Sequence, residues 1–166
     1  MRSILGFIER LSLISGKAAA FALIVLIAVV NTGVIARKVF NAPIAWNFDI
    51  SYMLWGFLFI IASAWAMLRG EHVHIDVLTS RLSSRANLIL DIVLYLTICI
   101  PTLIIILLKG IDFAYRSWCL KELTPSPPYL PLYPLKTTIP VGIFLLLLQV
   151  IVKVIRDFGK LLGREL

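Results

Sequence analysis

The chain has 166 residues, 60% of them apolar and only 15% charged, with a mean hydropathy of +0.97. A soluble domain of this size carries nearer 25% charged residues and could not hide so much apolar surface, so a soluble globular fold is excluded and a polytopic membrane protein is implied. The net charge of +7 does not point to nucleic acid, because the Lys and Arg residues cluster between and beyond the apolar runs, as they do in membrane proteins.

Residues 1–16, MRSILGFIERLSLISG, place Ile4, Phe7, Ile8, Leu11 and Ile14 at 3–4 spacing, with Arg2, Glu9, Arg10 and Ser12 elsewhere. That pattern predicts a short amphipathic helix lying along the membrane surface. Lys17 interrupts the apolar run and no small-x-small site follows, so a retained anchor is expected rather than a cleaved signal peptide. The first span is predicted over 18–36, with Asn31 on a face expected to meet another helix and Arg37–Lys38 at its end. Phe40–Asn41–Ala42–Pro43 then forms a tight connection.

The clearest span is Ile50 to Leu68, 19 uncharged residues bounded by Asp49 and Arg69. As a helix it is roughly 28 Å long, close to the hydrocarbon thickness of a bilayer. Trp46–Asn47–Phe48–Asp49 forms an aromatic and acidic entry. Arg69–Gly70–Glu71–His72–Val73–His74–Ile75–Asp76 closes the far end. Asp49 admits two readings. Either it complements the dipole at the start of its helix, or it pairs with a basic residue, for which Arg37 is the candidate. His72, His74 and Asp76 have ligand chemistry, but no further Cys, His or acid cluster lies near them in sequence, so an interfacial turn is expected and no metal.

A polar loop over 80–85 leads to a third span at 87–108, with Asp91 about one turn inside and Pro101 near its middle as the expected kink point. Asp91 is expected to face protein and to accept a structural hydrogen bond. The helix is expected to continue past Lys109–Gly110 into an amphipathic segment, Ile111 to Trp118. Residues 120–136 contain five prolines and predict an extended or polyproline-like surface loop, with Tyr129 and Tyr133 at headgroup level. Glu122 in this loop joins the structural candidates. The fourth span is predicted over 138–155, followed by a basic tail of Lys153, Arg156, Lys160 and Arg164.

The chain is thus expected to be one all-α membrane domain of four transmembrane helices plus the interfacial helix, with residues 109–137 forming the amphipathic segment and outer loop. Ten of the 16 Lys and Arg residues fall on the termini and the loop after the second span, which favours both termini in the cytoplasm. Cys99 and Cys119 read as packing residues. No nucleophile–base pair, phosphate-cradling loop or paired catalytic carboxylates stand out, so neither catalysis nor a bound cofactor is expected.

The succession of motifs resembles the small membrane subunit of tripartite ATP-independent periplasmic (TRAP) transporters. The resemblance rests on Arg37 with Val39–Phe40–Asn41, on Trp46 with an acid three residues later, and on Arg69–Gly70–Glu71–His72–Val73–His74–Ile75–Asp76–Val77–Leu78. It is completed by Pro131–Leu132–Tyr133–Pro134–Leu135–Lys136 ahead of Ile139–Pro140–Val141–Gly142. In that family the acid after the tryptophan is often Glu, and here it is the shorter Asp49. The resemblance implies a sodium-driven uptake system for an organic acid in the bacterial inner membrane. A periplasmic substrate-binding protein would capture the solute, a large membrane subunit would move it, and this chain would pack against the large subunit as static scaffold, its remaining surface covered by lipid. Arg37, Trp46, Asp49, Arg69, His74, Asp76, Asp91 and Glu122 are the candidates for subunit contact or structural support. The competing reading is a membrane anchor of a redox complex, holding haem or quinone through His72 or His74.

Overall fold

The computed structural model describes residues 2–70 and 84–162. Among them the fold is all-helical. Helix α1 spans Arg2–Lys38, α2 spans Asn47–Arg69, α3 spans Ser84–Leu94, α4 spans Ile100–Leu120 and α5 spans Tyr133–Leu161, with a wide π turn over Tyr95–Cys99 joining α3 to α4. Because α3, the π turn and α4 run on as one rod, four helices are long and apolar enough to cross a membrane. Glu71, His72, His74 and Asp76 lie outside the described residues.

The separate interfacial helix expected over residues 1–16 is not present. Helix α1 is a single unbroken helix of 37 residues that passes straight through Lys17. The physical reason lies in which face is buried. Ser12 is 1% exposed and Ser15 is buried against the bundle, while Phe7 and Ile14 are each 62% exposed. Polar residues face inward and apolar residues outward, the reverse of a helix floating on a membrane surface. Each serine satisfies itself on its own backbone, Ser12 Oγ with the Ile8 carbonyl (3.3 Å) and Ser15 Oγ with the Ser12 carbonyl (2.8 Å), so the inward face carries no unpaired hydroxyl donor.

Helix α2 begins at Asn47, three residues ahead of the uncharged run, and ends on Gly70. That glycine adopts φ 73° and turns its N–H back to the Ala66 and Met67 carbonyls, a left-handed cap that only glycine takes without strain. Where the sequence predicts a kink at Pro101, the chain forms a π turn over Tyr95–Cys99 just ahead of it. Pro101 has no N–H to donate and its ring crowds the carbonyl four residues back. The widened turn absorbs this: the Ile100 N–H reaches back five residues to Tyr95. Helix α5 starts at Tyr133, five residues before the predicted span, because Pro134 fits the first helical turn and Lys136, Thr137 and Thr138 carry the helix on.

Helix α5 is the axis of the bundle, packing on α1, α2, α3 and α4, while α1 and α2 also pack on one another. Met67, Leu103, Leu146 and Val150 form the core, with Tyr95, Cys99, Ile100 and Ile143 among the residues against it. Bilayer hydrocarbon solvates leucine as well as a protein core does, so close backbone contact rather than apolar burial must hold such helices together. Two glycines provide it. A Cβ on Gly142 would sit 2.7 Å from the Ile60 carbonyl oxygen, and one on Gly33 would overlap the Asn47 amide, whose Nδ2 donates to the Val29 carbonyl at 2.6 Å.

The proline-rich segment is not extended. It folds back as a short hairpin-like loop, with Leu123 and Pro131 bridged antiparallel. The Thr124 N–H donates to the Leu130 carbonyl (2.8 Å) and the Leu132 N–H to the Glu122 carbonyl (2.9 Å). Thr124 organises the turn: its hydroxyl accepts from the Leu130 N–H and donates to the Ser126 carbonyl. A threonine side chain thus supplies pairing that the prolines cannot.

Candidate functional site

Polar side chains gather at the two ends of the bundle. At the end formed by the start of α2, the C-terminus of α4 and the start of α5, the folded loop closes onto α2. Asp49, in the first turn of α2 and 8% exposed, accepts a hydrogen bond from Ser126 Oγ of the loop at 3.1 Å. The aspartate therefore does two jobs: it complements the α2 dipole and it fastens the loop tip. It does not pair with Arg37, which has no ion-pair partner among the described residues. Arg37 instead borders a cavity of about 250 Å³ with Gly33, Asn47 and Phe48. Trp46 directly precedes α2, and its carbonyl accepts the Ile50 N–H at 3.0 Å.

A second fastening ties the foot of the loop. Glu122 accepts from Ser117 Oγ of α4 at 2.9 Å and pairs with the Lys136 ammonium of α5. Lys136, and after it Ser117, hold the Glu122 carboxyl below the usual carboxylate range. The Lys136 ammonium also lies 4.1 Å from the centre of the Phe113 ring, and Trp118 Nε1 donates to Thr137 Oγ1 at 2.8 Å while its ring packs on Tyr133. Loop, α4 and α5 are locked into one unit at this end.

At the opposite end, Gln149 in α5 donates to Ser12 Oγ of α1 at 2.6 Å and to the Ile8 carbonyl at 3.3 Å. One turn or so further, Arg156 Nη2 meets Glu9 Oε1 at 2.5 Å. The approach is close but poorly angled for a hydrogen bond, and Arg156 Nε is shielded from solvent with no acceptor. Asp157, buried, takes both Lys153 (3.1 Å) and Lys160 (3.4 Å) along its own helix. None of Glu9, Ser12 or Asp157 stood out as a site candidate in the sequence. The one available signal was a lone glutamine in an apolar run.

The remaining candidates are scattered. Arg69 stacks over the Trp65 ring at 5.2 Å from its centre. Asp91 is half-buried on α3, one turn before Tyr95, and makes no hydrogen bond among the described residues. His74 and Asp76 fall outside the described residues, and no group of three or more metal-binding side chains occurs among those described. Asn31, expected against a neighbouring helix, is on the exposed face of α1 and donates to its own Ile27 carbonyl.

Geometry of this kind is architectural: the clusters join helices or brace a single one, and none presents a nucleophile, a base and an open space together. The family model that matches the chain does so over residues 26–160, from within α1 to the last turn of α5, and describes the DctQ component of tripartite ATP-independent periplasmic transporters. The chain belongs to that family. No match was found among curated proteins. As a DctQ component it is a multi-pass membrane part of a tripartite transporter, and the redox-anchor alternative finds no support. The match begins at Leu26, inside the apolar stretch of α1, so the Ser12–Gln149 and Glu9–Arg156 contacts join a segment before the matched region to one within it.

Proposed function

We propose that this DctQ component is the small, non-catalytic subunit of a sodium-driven transporter that takes up an organic acid, packed against a large membrane subunit as part of its stationary scaffold. One observation carries the reading. The buried polar side chains Asp49 and Gln149, one towards each end of the bundle, are spent on bonds between elements of the chain itself. A secondary transporter's own substrate site needs broken helices and free polar groups near the bilayer midplane. Here the interior is committed to holding helices in place, as a scaffold requires. Sodium coupling and an organic-acid substrate come with the family and belong to its other parts. On this reading the chain lies in a bacterial inner membrane with both termini cytoplasmic. The Asp49–Ser126 loop then faces the periplasm, where the substrate-binding protein docks. Arg37 and Trp46, near the outer end of α1 and α2, and Arg69 at the inner end are the contacts offered to the large subunit.

The test is an uptake assay in cells lacking only this chain. Sodium-gradient-dependent accumulation of an organic acid should vanish and return when the chain is supplied. Uptake that persists at full rate without the chain would refute the role.

A further inference from the structure

We propose that the cavity between the C-terminal turn of α2, the π turn and the last turns of α5 is a binding site for the headgroup of an anionic phospholipid. The cavity has a volume of about 150 Å³, and its walls differ in character. Met67 and Leu68 form an apolar side; Tyr95, Gln149, Lys153, Arg156, Asp157 and Lys160 form a polar one.

Its depth fits a lipid headgroup. Lys153 is the first charged residue after the apolar run of α5, and Gly70 ends α2 beside it, so the site lies where hydrocarbon gives way to headgroups. Basic pockets between transmembrane helices at that level are where acidic headgroups bind.

The cations outnumber the acids that touch them. Lys153, Arg156 and Lys160 face Asp157 and Glu9, three against two, with Asp91 set further off beyond Tyr95. Donors also remain. Asp157 takes one contact from each lysine, and an ammonium has three N–H groups. Arg156 meets Glu9 through Nη2 and leaves Nε without an acceptor. Lys160 is the accessible entry, with its side chain 63% exposed, whereas Lys153 is held inward over the Tyr95 ring, 5.5 Å from its centre. A phosphate seated between them would reach both ammonium groups while its acyl chains lay along the apolar side of Met67 and Leu68. A free anion would use the polar wall alone and gain nothing from the apolar one, which favours the lipid.

Native mass spectrometry of the full chain in mild detergent tests this, with phosphatidylglycerol, phosphatidylcholine and inorganic phosphate titrated separately. One phosphatidylglycerol should bind well ahead of phosphatidylcholine. Lys160→Gln and Lys153→Gln, each of which leaves Asp157 one lysine, should weaken it about fivefold apiece. Asp157→Asn, which frees both ammonium groups, should tighten it, an effect that mere loss of packing would not produce. Arg116→Gln, at an exposed cation paired with Asp112 near the far end of α4, should change nothing. Equal binding of the two lipids, or lysine variants that bind phosphatidylglycerol as the parent does, would overturn the proposal. Inorganic phosphate binding as tightly as phosphatidylglycerol would overturn the lipid as its source.

Discussion

Gln149 and Ser12 are 137 residues apart in sequence and joined by a 2.6 Å hydrogen bond in the buried seam between α5 and α1. The bond fixes the N-terminal third of α1 to the central helix, at the place where the sequence alone suggested a helix lying outside the bundle. Interhelical hydrogen bonds of this type contribute about 0.6 kcal/mol on average in membranes, and up to about 1.7. Gln149→Leu should therefore lower the thermal stability of the purified chain modestly. Ser12→Ala should do the same, and the double variant should cost less than the two singles summed. Additive losses in a thermal-melt series in detergent would show that the two side chains do not interact.

Gly142 lets α5 approach the α2 backbone at Ile60. A methyl group there meets a backbone carbonyl oxygen at 2.7 Å, which cannot move aside as a flexible side chain would. Gly142→Ala should destabilise the bundle by about 1–3 kcal/mol, the usual cost of overpacking. Gly6→Ala, where nothing lies within 4 Å, should leave stability unchanged and serves as the control. Equal melting behaviour of the two variants would contradict the close α2–α5 contact.

The Asp49–Ser126 bond ties the loop tip to the bundle end where α2 and α5 begin. Asp49→Ala removes the acceptor and should raise hydrogen exchange across residues 123–131, with Ser126→Ala acting in the same direction. In the transporter both should lower the rate of uptake through weaker assembly, with substrate affinity unchanged, and Arg37→Ala should do likewise. A raised KM with normal recovery of the complex would assign these residues to substrate handling instead.

The Glu122–Lys136 pair gives the same loop a pH signature. The carboxyl is held below its ordinary value of 4.5 in the folded chain, so its stabilising effect is complete above that value and is lost as pH falls through the lower folded one. Between neutral pH and about pH 5 the loop foot should be indifferent to pH. In more acid solution, exchange at Leu132 and Lys136 should speed up relative to the intrinsic amide rate at the same pH. Glu122→Gln should show that faster exchange at neutral pH already and lose the acid step. An unchanged acid step in the variant would move its origin elsewhere.

The course of the chain through the membrane could be read from the sequence because bilayer thickness and helix rise leave little choice: an uncharged run such as Ile50–Leu68 has one sensible fate. Pro101 announced a disturbance because a missing N–H acts locally. The status of residues 1–16 could not be read that way. A helix with serines on one face and Phe7 and Ile14 on the other looks alike whether the serines meet water or a buried glutamine, and only the fold reveals which. Glu9, Arg156 and Asp157 likewise look like ordinary surface charges until α1 and α5 are brought together. The loop misled for a related reason. Its five prolines argue against regular structure, but a single threonine, Thr124, provides the pairing that turns the chain back. Asp49 could be singled out from the sequence, yet its bonding partner, Ser126, lies 77 residues away, beyond any local pattern.

The most direct measurement is a pull-down of the tagged chain from native membranes in mild detergent, followed by mass spectrometry of what accompanies it. A larger multi-pass membrane protein should co-purify in stoichiometric amount, and Asp49→Ala should reduce its recovery. A chain that emerges as a monodisperse monomer, with no large membrane partner at any detergent strength that preserves its fold, would contradict the scaffold role.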